Sequence, residues 1–271
     1  MEYILLALLG IFIGGIINTL ADTLPYRQKP TLPRYPDGSS RPPIAWLGLS
    51  AFITGKRASS QSPSLKLSWR HPITELTTAA LFMLTYAQTL AQTPISLWQF
   101  TLFLVYMALC VLITVIDVEH KLILFVVILP AIALALLDAL LVPIPAPNIR
   151  DALAGTGLGF AVFFAMYQGG KLFNYVMGSL QGRDLPTAFG YGDVMLITFT
   201  GALLGFAHTI IAIFIAVFLG AFGAIFYLLL RFLLRGSYNA FTALPYGPYI
   251  VVATVVMLLF GDSIRIALIG Y

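Results

Sequence analysis

The stretch WQFTLFLVYMALCVLITVIDVEH, residues 98–120, decides the fold class. Residues 98–116 hold no charged side chain, and a helix needs ~20 mostly apolar residues to cross the hydrocarbon core of a bilayer. In lipid, every backbone N–H and C=O of a lone segment must be satisfied within that segment, so such a run reads as a helix. The charge then begins abruptly, with Asp117, Glu119 and His120. The rest of the chain repeats this pattern. Of its 271 residues, 59% are hydrophobic and 10% charged, whereas a soluble globular chain is about half apolar and about a quarter charged.

Eight apolar runs emerge, at 2–22, 73–92, 98–116, 122–142, 150–172, 192–207, 209–231 and 247–268. Only FAHT (206–209) bridges the sixth and seventh. The expected class is all-α, a polytopic helical membrane protein with about eight transmembrane helices. The first run opens Met1-Glu2-Tyr3, without a basic start or a clear small-residue cleavage site, so it reads as a retained helix and not as a signal peptide. The expected organisation is a first transmembrane helix over 1–22, a basic proline-rich cytosolic loop over 23–72, and a helical membrane domain over 73–271.

Lys and Arg set the orientation, because they accumulate in cytoplasmic connections. With the N-terminus outside, the inner connections hold Arg27, Lys29, Arg34, Arg41, Lys56, Arg57, Lys66, Arg70, Lys121, Lys171, Arg183, Arg231 and Arg235. Only Arg150 and Arg265 fall outside. The expectation is N-out, C-out, in the plasma or inner membrane of a cell. In RQKPTLPRYPDGSSRPPIAW (27–46), prolines remove backbone donors and block helix. The loop reads as extended, with WLGLSAFITGKR (46–57) as a short interfacial helix whose Trp46 and Phe52 face lipid. Its basic residues suit topology and attraction to anionic membrane lipids. Nothing supports nucleic-acid binding. The single cysteine, Cys110, excludes an intrachain disulfide and a cysteine-based zinc site.

Two acids stand where apolar runs meet the inner face. Asp117 closes the third run, and Asp193, in AFGYGDVMLI (188–197), opens the sixth. Two crossings lie between them, which returns the chain to the same face. If the carboxylates meet, both cannot ionise cheaply and the pair shares a proton. One member can then take a proton from water while the other donates to a carbonyl oxygen, which hydrolyses an amide by general acid–base catalysis. Gly190 and Gly192 flank Tyr191, allowing unusual backbone conformations and close approach to an extended peptide. Other readings stay open on these residues alone. Asp193 suits a helix N-cap with Gly-Tyr-Gly as a turn, and Asp117 an interfacial acid with Lys121 as its partner four residues on. Both acids would also serve an ion- or proton-coupled transporter, for which the deeper Asp138 is the candidate.

AFGYGDVMLITFTGALLG (188–205) and VIDVEHKLIL (115–124) resemble the two aspartate segments of the type IV prepilin leader peptidases, a GxGD-type membrane aspartyl protease family. GGIINTLADTLP (14–25) resembles the family's opening helix, SWRHPITELTTAALF (68–82) the start of its second, and LPYGPYIVVATVVMLLFG (244–261) its last. The segments follow in family order over most of the chain. The resemblance implies a helical bundle with Asp117 and Asp193 as catalytic residues at the cytosolic face. Gly190, Tyr191 and Gly192 support the motif. The implied reaction removes the leader of prepilins or pseudopilins after a glycine, without a cofactor. Many members also N-methylate the new terminus with S-adenosylmethionine, and Glu75 matches a loop–helix position that makes it the candidate for a role in methylation. As an ordinary residue, Glu75 would be a first-turn helix acid.

The chain also departs from the pattern. The two Cys-x-x-Cys pairs that members often carry in the first loop, read as a metal site, are replaced by RQKPTLPRYPDGSS (27–40) and ASSQSPS (58–64); no metal site is expected. Leu124 and Phe125 stand where members commonly have Pro then Asp or Asn, and Met195 stands where a lysine often follows the second aspartate. The histidines His71, His120 and His208 form no cluster in sequence, and His120 is placed to tune Asp117.

Overall fold

The structure, a computed structural model, describes residues 1–90, 95–141, 147–181, 190–235 and 245–270. Arg183 and residues 188, 189 and 244 of the motifs above lie outside the described residues. Among the described residues eight α-helices follow one another: α1 (Glu2–Thr23), α2 (Gly48–Ile53), α3 (Arg70–Gln88), α4 (Leu97–His120), α5 (Phe125–Leu141), α6 (Ile149–Gln181), α7 (Tyr191–Arg235) and α8 (Gly247–Ile269). Among the described residues there is no strand, only one isolated bridge between Arg34 and Ser40. The all-α expectation holds.

Among the described residues, five helical stretches are long and apolar enough to cross a membrane: Glu2–Tyr26, Leu97–His120, Ile149–Val176, Tyr191–Leu229 and Gly247–Leu268. α5 is apolar but shorter. α3 buries Thr74, Glu75, Thr78 and Thr85 on one face, which lowers its hydropathy. The sixth and seventh runs fuse into α7, which spans 45 residues and breaks at Gly205 (φ 74°, ψ −177°). That backbone region is essentially reserved for glycine. Asp151, in the first turn of α6, accepts a hydrogen bond from the Phe206 N–H at 3.1 Å. A carboxylate from a neighbouring helix thus satisfies a donor that the break exposes.

The chain forms two compact units, residues 1–120 and 121–271. In the first, α1 crosses α3 through small residues. A Cβ on Gly14 would stand 2.5 Å from the Glu75 Cα, so only hydrogen fits there. The Asn18 amide donates to the His71 carbonyl at 3.0 Å and to Glu75 Oε1 at 3.4 Å. At one end of this unit the Tyr86 hydroxyl donates to Glu2. At the other, Arg70 binds Asp22 at 2.5 Å and Glu119 at 2.6 Å.

The loop between α1 and α3 is folded, not extended as expected. Tyr35, Ala45, Ala51 and Leu67 form a small core with Phe52 against it. Phe52 meets Trp69 edge-on at 4.6 Å, and the Arg57 guanidinium stands 4.0 Å from its ring centroid. Phe52 therefore packs on protein, and the Trp46 indole donates to the Arg41 carbonyl at 3.0 Å. α2 forms where the short helix was expected. Asp37 gathers the rest: it accepts from the Ser39 N–H at 2.9 Å, the Ser39 hydroxyl at 2.6 Å and the Ser59 hydroxyl. The Ser39 and Ser59 hydrogen bonds hold its carboxyl down at about 2.

In the second unit α6 crosses α7 through facing glycines. A Cβ on either Gly155 or Gly201 would overlap the other's backbone, and one on Gly159 would reach the Ile197 carbonyl. Gly157, between Gly155 and Gly159 on α6, has nothing within 4 Å of where a Cβ would stand. The Thr200 and Thr254 hydroxyls join α7 to α8 at 2.7 Å.

Candidate active site

Asp117 belongs to the first unit and Asp193 to the second. Asp117 lies near the end of α4 and is only 5% exposed. α4 stops at His120, and Lys121 takes a left-handed φ of 52°. The last turn of α4 is fastened from outside. Glu119 binds Arg70, the first residue of α3, and the His120 ring meets Tyr26 edge-on at 5.5 Å. His120 also approaches Glu119 at 3.9 Å. The basic loop joins the ends of α1 and α3, the same end of this unit at which Asp117 sits.

Asp193 sits in the first turn of α7. Its Oδ2 accepts from the Gly190 N–H at 3.1 Å, and its own N–H donates to the Gly190 carbonyl at 3.2 Å. This is the reach-back half of a capping box, with Asp193 at the third helical position. The N-cap expected of Asp193 is therefore corrected: the cap is Gly190 and Asp193 serves it. Neither Gly190 nor Gly192 adopts a positive φ. Gly192 is instead needed for space, because a Cβ there would lie 2.9 Å from the Ile123 Cβ. Gly190 has ordinary room. Tyr191 packs between α5 and α6, 6.0 Å from the Phe125 ring and 5.7 Å from that of Tyr167. Phe125, one of the departures from the family pattern, thus steadies the motif tyrosine.

Glu75 is completely buried. It is not in the first turn of α3, as expected of an ordinary helix acid; that turn holds no acid. Its Oε1 accepts from the Gly48 N–H at 2.5 Å and its Oε2 from the Leu49 N–H at 2.7 Å. The carboxylate caps α2 from a different helix, and Asn18 completes its shell. Sequence reading missed Arg70, Asp22 and Asn18 as a linked group. For Arg70 and Asp22 the signal available was their position beside the ends of successive apolar runs; Asn18 lies inside the first run, four residues before Asp22.

The sequence profile of the type IV leader peptidase family matches residues 104–225, a stretch that contains Asp117 and Asp193. The prepilin leader peptidase/N-methyltransferase of Aeromonas hydrophila is 31% identical over 223 residues, 82% of this chain and 67% of the relative. The chain belongs to the type IV leader peptidase family. Its likeness extends to the equally named protein of Aeromonas salmonicida (strain A449), 30% identical over 82% of this chain and 67% of that one. It extends also to that of Myxococcus xanthus (strain DK1622), 27% identical over 74% and 56%. No solved structure matches the chain significantly. Family membership and the apolar helices make it a multi-pass membrane protein related to proteases, and the transporter reading loses its ground.

Proposed function

We propose that this protein is a membrane aspartyl endopeptidase that removes the leader from prepilin- or pseudopilin-type proteins at the cytosolic face of the plasma or inner membrane. In this reading the chain crosses the membrane eight times, N-out and C-out, with the α7 break at Gly205 supplying one turn-around. The observation that carries the reading is the placement of the two aspartates. Each stands at a helix end inside the family-matched stretch, Asp117 closing α4 and Asp193 opening α7, with α5 and α6 between them.

Acting together, the two carboxylates share one proton. The ionised member takes a proton from a water molecule as its oxygen attacks the scissile carbonyl carbon. The protonated member gives its proton to the carbonyl oxygen, forming a tetrahedral diol. Collapse of the diol breaks the C–N bond: the second carboxylate takes back a proton from a diol hydroxyl, the leaving amine takes a proton from the first carboxyl group, and the dyad is restored. A substrate whose apolar helix is anchored in the bilayer presents its leader junction at the membrane boundary, the depth of a helix end.

The proposal extends to N-methylation, which the relatives' names include. The loop holds a polar cleft of about 420 Å³ lined by Tyr35, Ser39, Lys56, Ser59 and Gln61 among others. A nucleoside-bearing cofactor suits that size. Lys56 would hold the carboxylate of S-adenosylmethionine, which supplies an electrophilic methyl group when bound; the Ser39 and Ser59 hydroxyls already donate to Asp37. Glu75 serves this activity as the anchor of the loop.

The test is mass spectrometry of a co-expressed prepilin. Leader loss reports the peptidase and an added methyl group the second activity. Asp117→Asn and Asp193→Asn each abolish leader loss while the protein still inserts; full cleavage by either variant refutes the reading. Equilibrium dialysis with labelled S-adenosylmethionine checks the cleft, and unchanged binding by Lys56→Ala would remove Lys56 from it.

A further inference from the structure

We propose that Arg70 is a positioning residue for leader cleavage, fixing the end of α4 that carries Asp117. The proposal rests on the reading of Asp117 as catalytic. Arg70 opens α3, and its guanidinium divides between two other helices: Nη2 binds Asp22 of α1 at 2.5 Å and Nη1 binds Glu119 of α4 at 2.6 Å. Glu119 lies two residues after Asp117, in the terminal turn. Helix ends fray because their last carbonyls lack intrahelical partners, and α4 has no glycine stop; it ends on Lys121 in a left-handed conformation. The pose of that turn therefore depends on what holds it from outside.

The chemistry of the contact calls for arginine. A planar guanidinium directs its N–H groups along fixed lines and so sets the spacing of two carboxylates; a lysine ammonium is a mobile point charge. Nearby groups reinforce the fork. His71 Nε2 accepts from Arg70 Nη2 at 3.2 Å and from the Arg41 guanidinium at 3.1 Å. The carboxylates themselves are part-exposed, 42% for Asp22 and 34% for Glu119, against 12% for Arg70. Ion pairs with that much water add little to stability. What this fork supplies is geometry, and an acid–base pair is sensitive to geometry: a displacement of about 1 Å costs on the order of 100-fold in rate.

The experiment uses the full-length protein in liposomes with a purified prepilin, measuring kcat and KM separately beside thermal stability. Arg70→Lys keeps the charge and is expected to lower kcat about 10- to 100-fold, with KM and the melting temperature close to wild type. Glu119→Gln is expected to lower kcat in the same way, and the double variant to be no slower than the worse single one, because both remove one contact. Wild-type kcat in Arg70→Lys, or a loss that tracks the amount of folded protein, overturns the proposal. Asp117→Asn separates the two readings. An active Asp117→Asn sinks the catalytic reading itself, whereas an inactive Asp117→Asn beside a fully active Arg70→Lys sinks only the role of Arg70.

Discussion

Gly190 and Gly192 occupy equivalent places in the Gly-Tyr-Gly-Asp motif, yet replacing them with alanine has different consequences. At Gly190 a new Cβ would lie 3.5 Å from Asp193 Oδ2, an ordinary van der Waals distance, and Gly190→Ala is expected to cost only about 0.5 kcal/mol, from alanine's poorer fit to an N-cap. At Gly192 the Cβ would lie 2.9 Å from the Cβ of Ile123, with Cγ1 and Cδ1 at 3.4 and 3.5 Å. The nearest atom is the root of the side chain, so no rotamer change of Ile123 relieves it and the two backbones must part. Overpacking of this kind costs about 2–3 kcal/mol. Better helix propensity returns at most about 1 kcal/mol. The net, about 1–2 kcal/mol, is a factor of roughly 5–30 in the folded ratio. Separation would also draw Tyr191 from Phe125 and move the turn holding Asp193, so cleavage should fall further than stability does. Thermal unfolding in detergent, paired with prepilin cleavage, measures both. Ile123→Ala leaves the offending Cβ in place and should not rescue Gly192→Ala. Equal losses at both glycines, or wild-type stability in Gly192→Ala, would refute the packing argument.

Two further predictions concern the loop. Glu75→Ala strands the Gly48 and Leu49 N–H groups, at about 1–3 kcal/mol each, and should open residues 27–66 to proteases; Glu75→Gln keeps one acceptor and should open them less. Asp37 has its carboxyl held down at about 2 by Ser39 and Ser59, below the ~3.9 of an unfolded aspartate. Its contribution is therefore complete above about pH 4 and is lost as pH falls toward 2. Amide exchange across residues 35–62 should quicken through that window, and Asp37→Asn should show faster exchange at neutral pH with no such step.

The helical class and the apolar character of the chain were legible in the sequence because membrane burial leaves a signal in every residue of a span. The ordering of the loop was not, because it depends on pairs such as Asp37–Ser59 and Glu75–Gly48 that are distant in sequence and polar in type. Proline content argued for an extended chain between Arg27 and Trp46, but four well-placed apolar residues (Tyr35, Ala45, Ala51 and Leu67) suffice for a local core. The two runs that FAHT was expected to separate form one helix, α7, and its break lies at Gly205, whose role shows only in its backbone angles. Spacing suggested conformational freedom at the motif glycines, but neither takes a positive φ, and Gly192 is used for volume.

The capping of α2 by Glu75 imposes an order on biogenesis. α2 has six residues, far below the ~12–15 at which an isolated helix becomes even marginally stable in water, and it leaves the ribosome before position 75 does. Nascent chains ending short of that carboxylate would expose the loop as an unfinished segment. Its maturation thus waits on translation of the helix downstream.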